Sequence, residues 1–84
     1  MAPAHALILH TDDRPGALLQ IAQVIADHGA NIRAIQTLGG QGGRSSLSLE
    51  LDETLALPRI VADLAALEVV RGVEGATALQ AVYG

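Results

Sequence analysis

The chain has no cysteine, no tryptophan and no phenylalanine, and Tyr83 is its one aromatic residue. Without thiols there is no disulfide framework, no thiolate metal site and no cysteine nucleophile, and a reducing compartment is expected. Without aromatics the stacking platforms that read single-stranded RNA are missing. Lysine is absent as well: the five basic residues are all arginines and face nine acids, for a formal charge of -4 at pH 7. That balance does not supply the positive surface a nucleic-acid backbone requires. No apolar run approaches the roughly 20 residues of a membrane span, and MAPAHALILH has no basic segment ahead of its apolar stretch, so neither a span nor a secretory leader is expected. The setting expected is cytoplasmic, with no nucleic acid and no membrane among the partners.

What is present fits one domain. A chain of 84 residues buries only about 60% of its unfolded surface on folding, so association with a partner would add needed stability. Ala6 to His10 has the length of a strand, with Leu7 and Leu9 on one side and Ala6 and Ile8 on the other. The loop from Thr11 to Pro15 follows, and helix one is predicted to begin near Pro15 with a stripe of Leu18, Ile21, Ala22, Ile25 and Ala26, ending at Gly29 as C-cap. A second strand is expected from Ile32 to Leu38, then a turn through Gly39 to Gly43. The third, Arg44 to Leu51, alternates strictly: Leu47, Leu49 and Leu51 against Ser46, Ser48 and Glu50. Pro58 suits the first turn of helix two, whose stripe is Leu57, Ile60, Val61, Leu64 and Leu67. Gly72 or Gly75 is expected to close that segment before a fourth strand from Ala76 to Tyr83. The order βαββαβ with right-handed crossovers gives the ferredoxin-like α+β sandwich, a four-stranded antiparallel sheet with both helices on one face. A second copy is expected to cover part of the other face, or to pair with the sheet side by side.

Little in the chain suggests catalysis. His5, His10 and His28 lack metal-ligand spacing, and His28, in the last turn of helix one, suits the helix dipole as a cation. The GGQGG tract lies between two strands without the lysine or the helix of a phosphate loop. Ser45, Ser46 and Ser48 have no histidine nearby in sequence to act as base. Neither a catalytic residue, a metal nor a cofactor is therefore assigned.

One run stands out, Asp13-Arg14-Pro15-Gly16 ahead of helix one with Gly29-Ala30-Asn31-Ile32 after it. With the element order, these two motifs resemble the ACT domain family, small modules that sense amino acids in metabolic enzymes and regulators, and the resemblance covers nearly the whole chain. It implies a non-catalytic, dimerising regulatory module that binds a free amino acid and controls a metabolic enzyme or regulator. In serine-sensing members the effector lies between two paired domains, and by that resemblance the ligand-binding residues are Thr11, Asp13, Arg14 and Gly16 of one chain with Asn31 and Ile32 of its partner. Thr11 and Asp13 stand where those members carry histidine and asparagine, whereas Asn31 matches. The start of helix one would receive the effector carboxylate, and Asp13 with the Asn31 side-chain oxygen its ammonium.

Each of these residues also has a plainer reading. Asp13 would cap helix one, Asn31 would close the turn after Gly29, and Gly16 would permit close packing of the helix. At the level of function the alternatives are a structural or interaction module of the same fold that assembles without an effector, and a small acylphosphatase-like hydrolase. The last needs an anion-cradling arginine loop, and here Arg14 adjoins two acids and a proline.

Overall fold

The computed structural model describes residues 4–75. The elements run β1 (Ala4–Asp12), α1 (Ala17–Asp27), β2 (Ile32–Gln41), β3 (Arg44–Asp52), α2 (Leu57–Ala65) and β4 (Val70–Gly75). The strands form one antiparallel sheet in the order β2-β3-β1-β4, which is the ferredoxin-like arrangement expected. No helix among the described residues is long and apolar enough to cross a membrane.

The alternation in β3 and β1 decides which side carries the core. Leu7, Leu9, Leu49 and Leu51 are fully buried against Ile21, Ile25, Ile60 and Leu64 of the helices, with Leu47 partly buried beside them. Residues of the opposite parity, Ala6, Ile8, His10, Ser46 and Ser48, turn to the helix-free face and are half-buried. In α2 the predicted stripe holds: Leu57, Ile60 and Leu64 are buried, with Val61 and Leu67 packed against them.

Several boundaries differ from expectation, and β1 already extends at both ends, from Ala4 to Asp12. Helix one starts at Ala17, because Gly16 takes φ 85, a left-handed conformation that ends the loop and has no place in a helix. Its buried stripe is also displaced: Ala17, Ile21 and Ile25 are buried with Val24 packed against them, while Leu18 is 49% exposed and Ala26 lies outside. The small Ala17 lies against the core and leaves Leu18 at its margin. At its other end His28, expected in the last turn, is the C-cap in place of Gly29, and its Nε2 meets Asp63 Oδ2 of α2 at 2.7 Å, which gives it a side-chain partner.

The glycine tract is mostly strand. β2 pairs through Gln41↔Arg44 after an irregularity between Thr37 and Gly39, leaving Gly42 and Gly43 as a two-residue turn with φ 65 and 80. Positive φ at both positions is what a tight hairpin of the type I′ kind demands. The fourth strand likewise begins earlier than predicted, at Val70, and pairs Leu9↔Val73 and His10↔Gly72. Gly72 and Gly75 are therefore within the strand instead of closing the preceding segment. The stretch from Ala76 to Tyr83, where that strand was expected, lies outside the described residues.

Candidate functional site

The end of β1 delivers the loop to the helix face of the sheet. Thr11 is 3% exposed, pairs with Ser45 across the ladder and directs its hydroxyl at the Ser45 carbonyl, 3.5 Å away. Two backbone bonds then pin the chain on both sides: Asp12 N–H donates to Val69 O at 2.7 Å and Asp13 N–H to Gly43 O at 2.8 Å. The second of these ties the loop to the hairpin turn, so the glycine tract positions the loop as well as reversing the chain.

Charge in the loop is partly settled within the protein. Arg71 grips Asp12 through Nε and Nη2 at 2.9 and 3.2 Å. That hydrogen-bonded pairing, helped by the charges of Arg14 and Arg44 and opposed by desolvation, holds the Asp12 carboxyl below its ordinary value. Arg14 reaches Glu68 only at 3.9 Å with both side chains well exposed, a contact too loose and too wet to restrain it. Asp13 is exposed, and no side chain caps α1, so the capping reading of Asp13 is not what the structure contains. Ala17 N–H turns back to Arg14 O at 3.2 Å and Gln20 N–H to Gly16 O at 3.0 Å. Leu18 and Leu19 N–H, in the first turn, find no partner among the described residues.

These features border a cleft of about 250 Å³. Its polar wall is Thr11, Asp12, Asp13, Arg14, Thr37 and Ser45, and its apolar wall is Ala17, Leu18 and Leu47. Three of the residues singled out from the sequence, Thr11, Asp13 and Arg14, line it, and Gly16 sets the angle at which the helix leaves it. Thr37, Ser45 and Leu47 come from β2 and β3, and their place at the cleft follows from strand register, which the sequence does not spell out.

Asn31 and Ile32 lie elsewhere. Ile32 pairs with Leu51 and Thr11 with Ser45, so on β3 the two groups are six residues apart, about 20 Å along a strand. Within one chain they belong to opposite ends of the sheet. At its own end Asn31 Nδ2 donates to Asp52 Oδ2 at 2.9 Å, and Arg33 Nε approaches Asp52 Oδ1 at 3.3 Å.

The helix-free face holds one arrangement that sequence reasoning missed. Register sets His10 opposite Ser46, Nδ1 to Oγ at 3.0 Å, and Glu74 Oε2 meets Nε2 at 2.5 Å. A histidine thus does stand beside Ser46, though distant in sequence. Both sit on the inner strands β1 and β3, and neither lines the cleft at Thr11. No group of three His, Cys, Asp or Glu side chains able to hold a metal gathers among the described residues.

A family model described as the ACT domain matches residues 5–69. The ACT domain of GTP pyrophosphokinase from Chlorobium tepidum superposes with a TM-score of 0.72 at 23% identity, covering 90% of this chain and 100% of that one. The small subunit of acetolactate synthase from Thermotoga maritima gives 0.75 at 22% identity, over 92% of this chain and 49% of that one. A homoserine dehydrogenase from Thiobacillus denitrificans gives 0.66 at 28% identity, over 88% of this chain and 17% of that one. No curated protein matches the sequence at a significant level.

Proposed function

The chain belongs to the ACT domain family, and we propose that it is a sensor of a free amino acid, bound between two paired copies and controlling a metabolic enzyme or regulator. ACT domains are regulatory, non-catalytic modules. The observation that carries the proposal is the cleft at the uncapped start of α1, where Thr11, Asp13 and Arg14 stand beside Leu18, whose N–H has no partner among the described residues. Helix N-termini favour anions, so an effector carboxylate is received there while Asp13 takes the ammonium. A cleft of about 250 Å³ has room for one amino acid.

Pairing is argued from the edge of the sheet. β2 is an edge strand, and large apolar residues remain exposed on it and at the start of α1: Leu38 and Leu18 at 49% and Leu19 at 71%. In the register that overlaps them along their whole length, two β2 edges laid antiparallel about a two-fold axis set Ile32 of one copy against Gln41 of the other. Asn31 then comes within a strand spacing, about 5 Å, of the hairpin turn whose Gly43 carbonyl holds the Asp13 N–H. Two chains thereby unite what 20 Å separates in one. The similarity to domains of GTP pyrophosphokinase, homoserine dehydrogenase and an acetolactate synthase subunit favours a metabolic enzyme as the controlled partner.

A thermal-shift screen against the twenty amino acids tests this. A ligand at 100 times its Kd adds about 2.7 kcal/mol, on the order of 10 °C in a domain of this size. If no amino acid moves the melting temperature, the reading fails and the edge serves assembly alone.

A further inference from the structure

We propose that Asp52 is a positioning residue of the effector site, holding the Asn31 amide so that its oxygen, and not its nitrogen, is offered to the ligand. The inference rests on the reading of Asn31 as an effector contact and adds to it a residue outside the cleft, in another strand.

An asparagine on a surface presents either end of its amide, and Asn31 is exposed. Here the choice is made by chemistry. Asp52 Oδ2 lies 2.9 Å from the Asn31 amide nitrogen, and an ionised carboxylate only accepts hydrogen bonds, so the NH₂ end is the one that faces it. The carbonyl end is left for an outside donor. An ammonium is such a donor and a carboxylate is not.

The clamp is fixed at three points. The backbones of the same two residues are joined where β2 begins, Asp52 N–H donating to Asn31 O at 3.0 Å. The second carboxylate oxygen is approached by Arg33 Nε at 3.3 Å, an ion pair of two half-exposed side chains. Asp52 is therefore restrained before any ligand arrives and restrains Asn31 in turn. Restraint of this kind lowers the ordering cost paid on binding, and its removal is expected to weaken affinity about 2- to 12-fold.

Titration calorimetry of the whole chain decides the matter, with each amino acid that binds the wild type run beside its deaminated carboxylic acid, which keeps the carboxylate and lacks the ammonium. Asp52→Ala is expected to weaken the amino acid by that factor and to leave the deaminated acid unchanged. Asp52→Asn, whose amide has one oxygen and can turn its NH₂ toward Asn31, no longer dictates which end faces out and should recover at most a small part of the loss. In a chain already carrying Asn31→Ala, Asp52→Ala should cost nothing more. A merely structural role for Asp52 would instead weaken both ligands alike and add to Asn31→Ala, and that result overturns the proposal. Wild-type affinity in Asp52→Ala, with Asn31→Ala weakened, also overturns it while leaving amino-acid sensing intact. Wild-type affinity in Asn31→Ala removes both. Nuclear magnetic resonance of the unliganded wild type gives an independent check should Asp52→Ala fold poorly. The Asn31 side-chain amide signal should lie away from the position of a free amide and return toward it in Asp52→Asn; a free-amide signal in the wild type contradicts the clamp.

Discussion

Gly40→Ala is expected to be far more damaging than its surface position suggests. Gly40 is exposed, yet a methyl built on it overlaps the Arg44 carbonyl oxygen and comes within 2.8 Å of Ser45 Cα. These atoms belong to the backbone of the paired strand, so relief requires the β2–β3 ladder to part, where a flexible side chain would simply have turned away. Overpacking of this type costs about 1–3 kcal/mol, and the upper half of that range applies because nothing soft lies in the way. At roughly 4–8 °C per kcal/mol in a small domain, the melting temperature falls by about 8 to 24 °C. Gly16→Ala provides the contrast. Its methyl meets nothing within 4 Å, but φ is +85, so only the dihedral cost of about 1–2 kcal/mol applies, reduced by the stiffer unfolded chain. A net loss near 1 kcal/mol, about 4–8 °C, is expected. Gly16→Val, with φ held positive, disturbs the fold as well as filling the space above the helix start. Circular dichroism melts of the two alanine variants compare a clash with a strain. Because Gly43 O accepts the Asp13 N–H, Gly40→Ala should also speed hydrogen exchange at Asp13. A smaller shift for Gly40→Ala than for Gly16→Ala would refute the argument.

Other outcomes follow from contacts elsewhere in the molecule. The Asp12 carboxyl is held below its ordinary value of 3.8, chiefly by its hydrogen bonds to Arg71; the pairing therefore stabilises the fold above that value and is lost as pH falls through the lower folded one. In urea titrations Arg71→Ala should be less stable than wild type at neutral pH, with the gap narrowing as the pH falls below the ordinary value of 3.8. An unchanged gap would contradict this. Leu38→Arg places a charge on the exposed β2 edge and should shift light-scattering mass toward the 8.6 kDa monomer, whereas a wild type already at that mass at millimolar concentration removes the interface. Ile60→Ala opens the fully buried core and should cost about 2–5 kcal/mol, a large share of the stability of so small a domain, as read by the urea midpoint.

The sandwich was legible where side chains alternate or recur with one period. β3 states its buried face outright in Leu47, Leu49 and Leu51, and α2 does so in Leu57, Ile60 and Leu64, because burial there is decided by periodicity alone. Glycine misled at both edges of the sheet. In Gly39 to Gly43 and at Gly72 it suggested breaks, whereas the backbone pairs regardless of side chain once neighbouring strands supply partners, and Gly40 is required for that pairing. At the start of α1 the helical spacing after Pro15 likewise hid the left-handed Gly16 and, with it, the displaced helix stripe. Of the cleft, the loop residues Thr11, Asp13 and Arg14 could be named from the sequence because they are contiguous. Thr37, Ser45 and Leu47 could not, since their arrival depends on a register that includes an irregularity after Thr37. The Asn31–Asp52 clamp and the His10–Ser46 contact are likewise products of register, joining residues 21 and 36 positions apart.

The central claim, that one binding site is shared between two chains, is tested most directly by complementation. Asp13→Ala breaks the loop wall and Asn31→Ala the strand wall, and each alone should weaken an effector about 10- to 150-fold, the cost of one hydrogen bond to a charged group. When the two variants are mixed and allowed to exchange, half of the pairs are mixed, and each mixed pair carries one site with both walls intact and one with neither. Calorimetry on the mixture should therefore recover wild-type affinity at about a quarter of the sites. If exchange is verified and no tight sites return, the loop and Asn31 do not meet across an interface, and the account is contradicted.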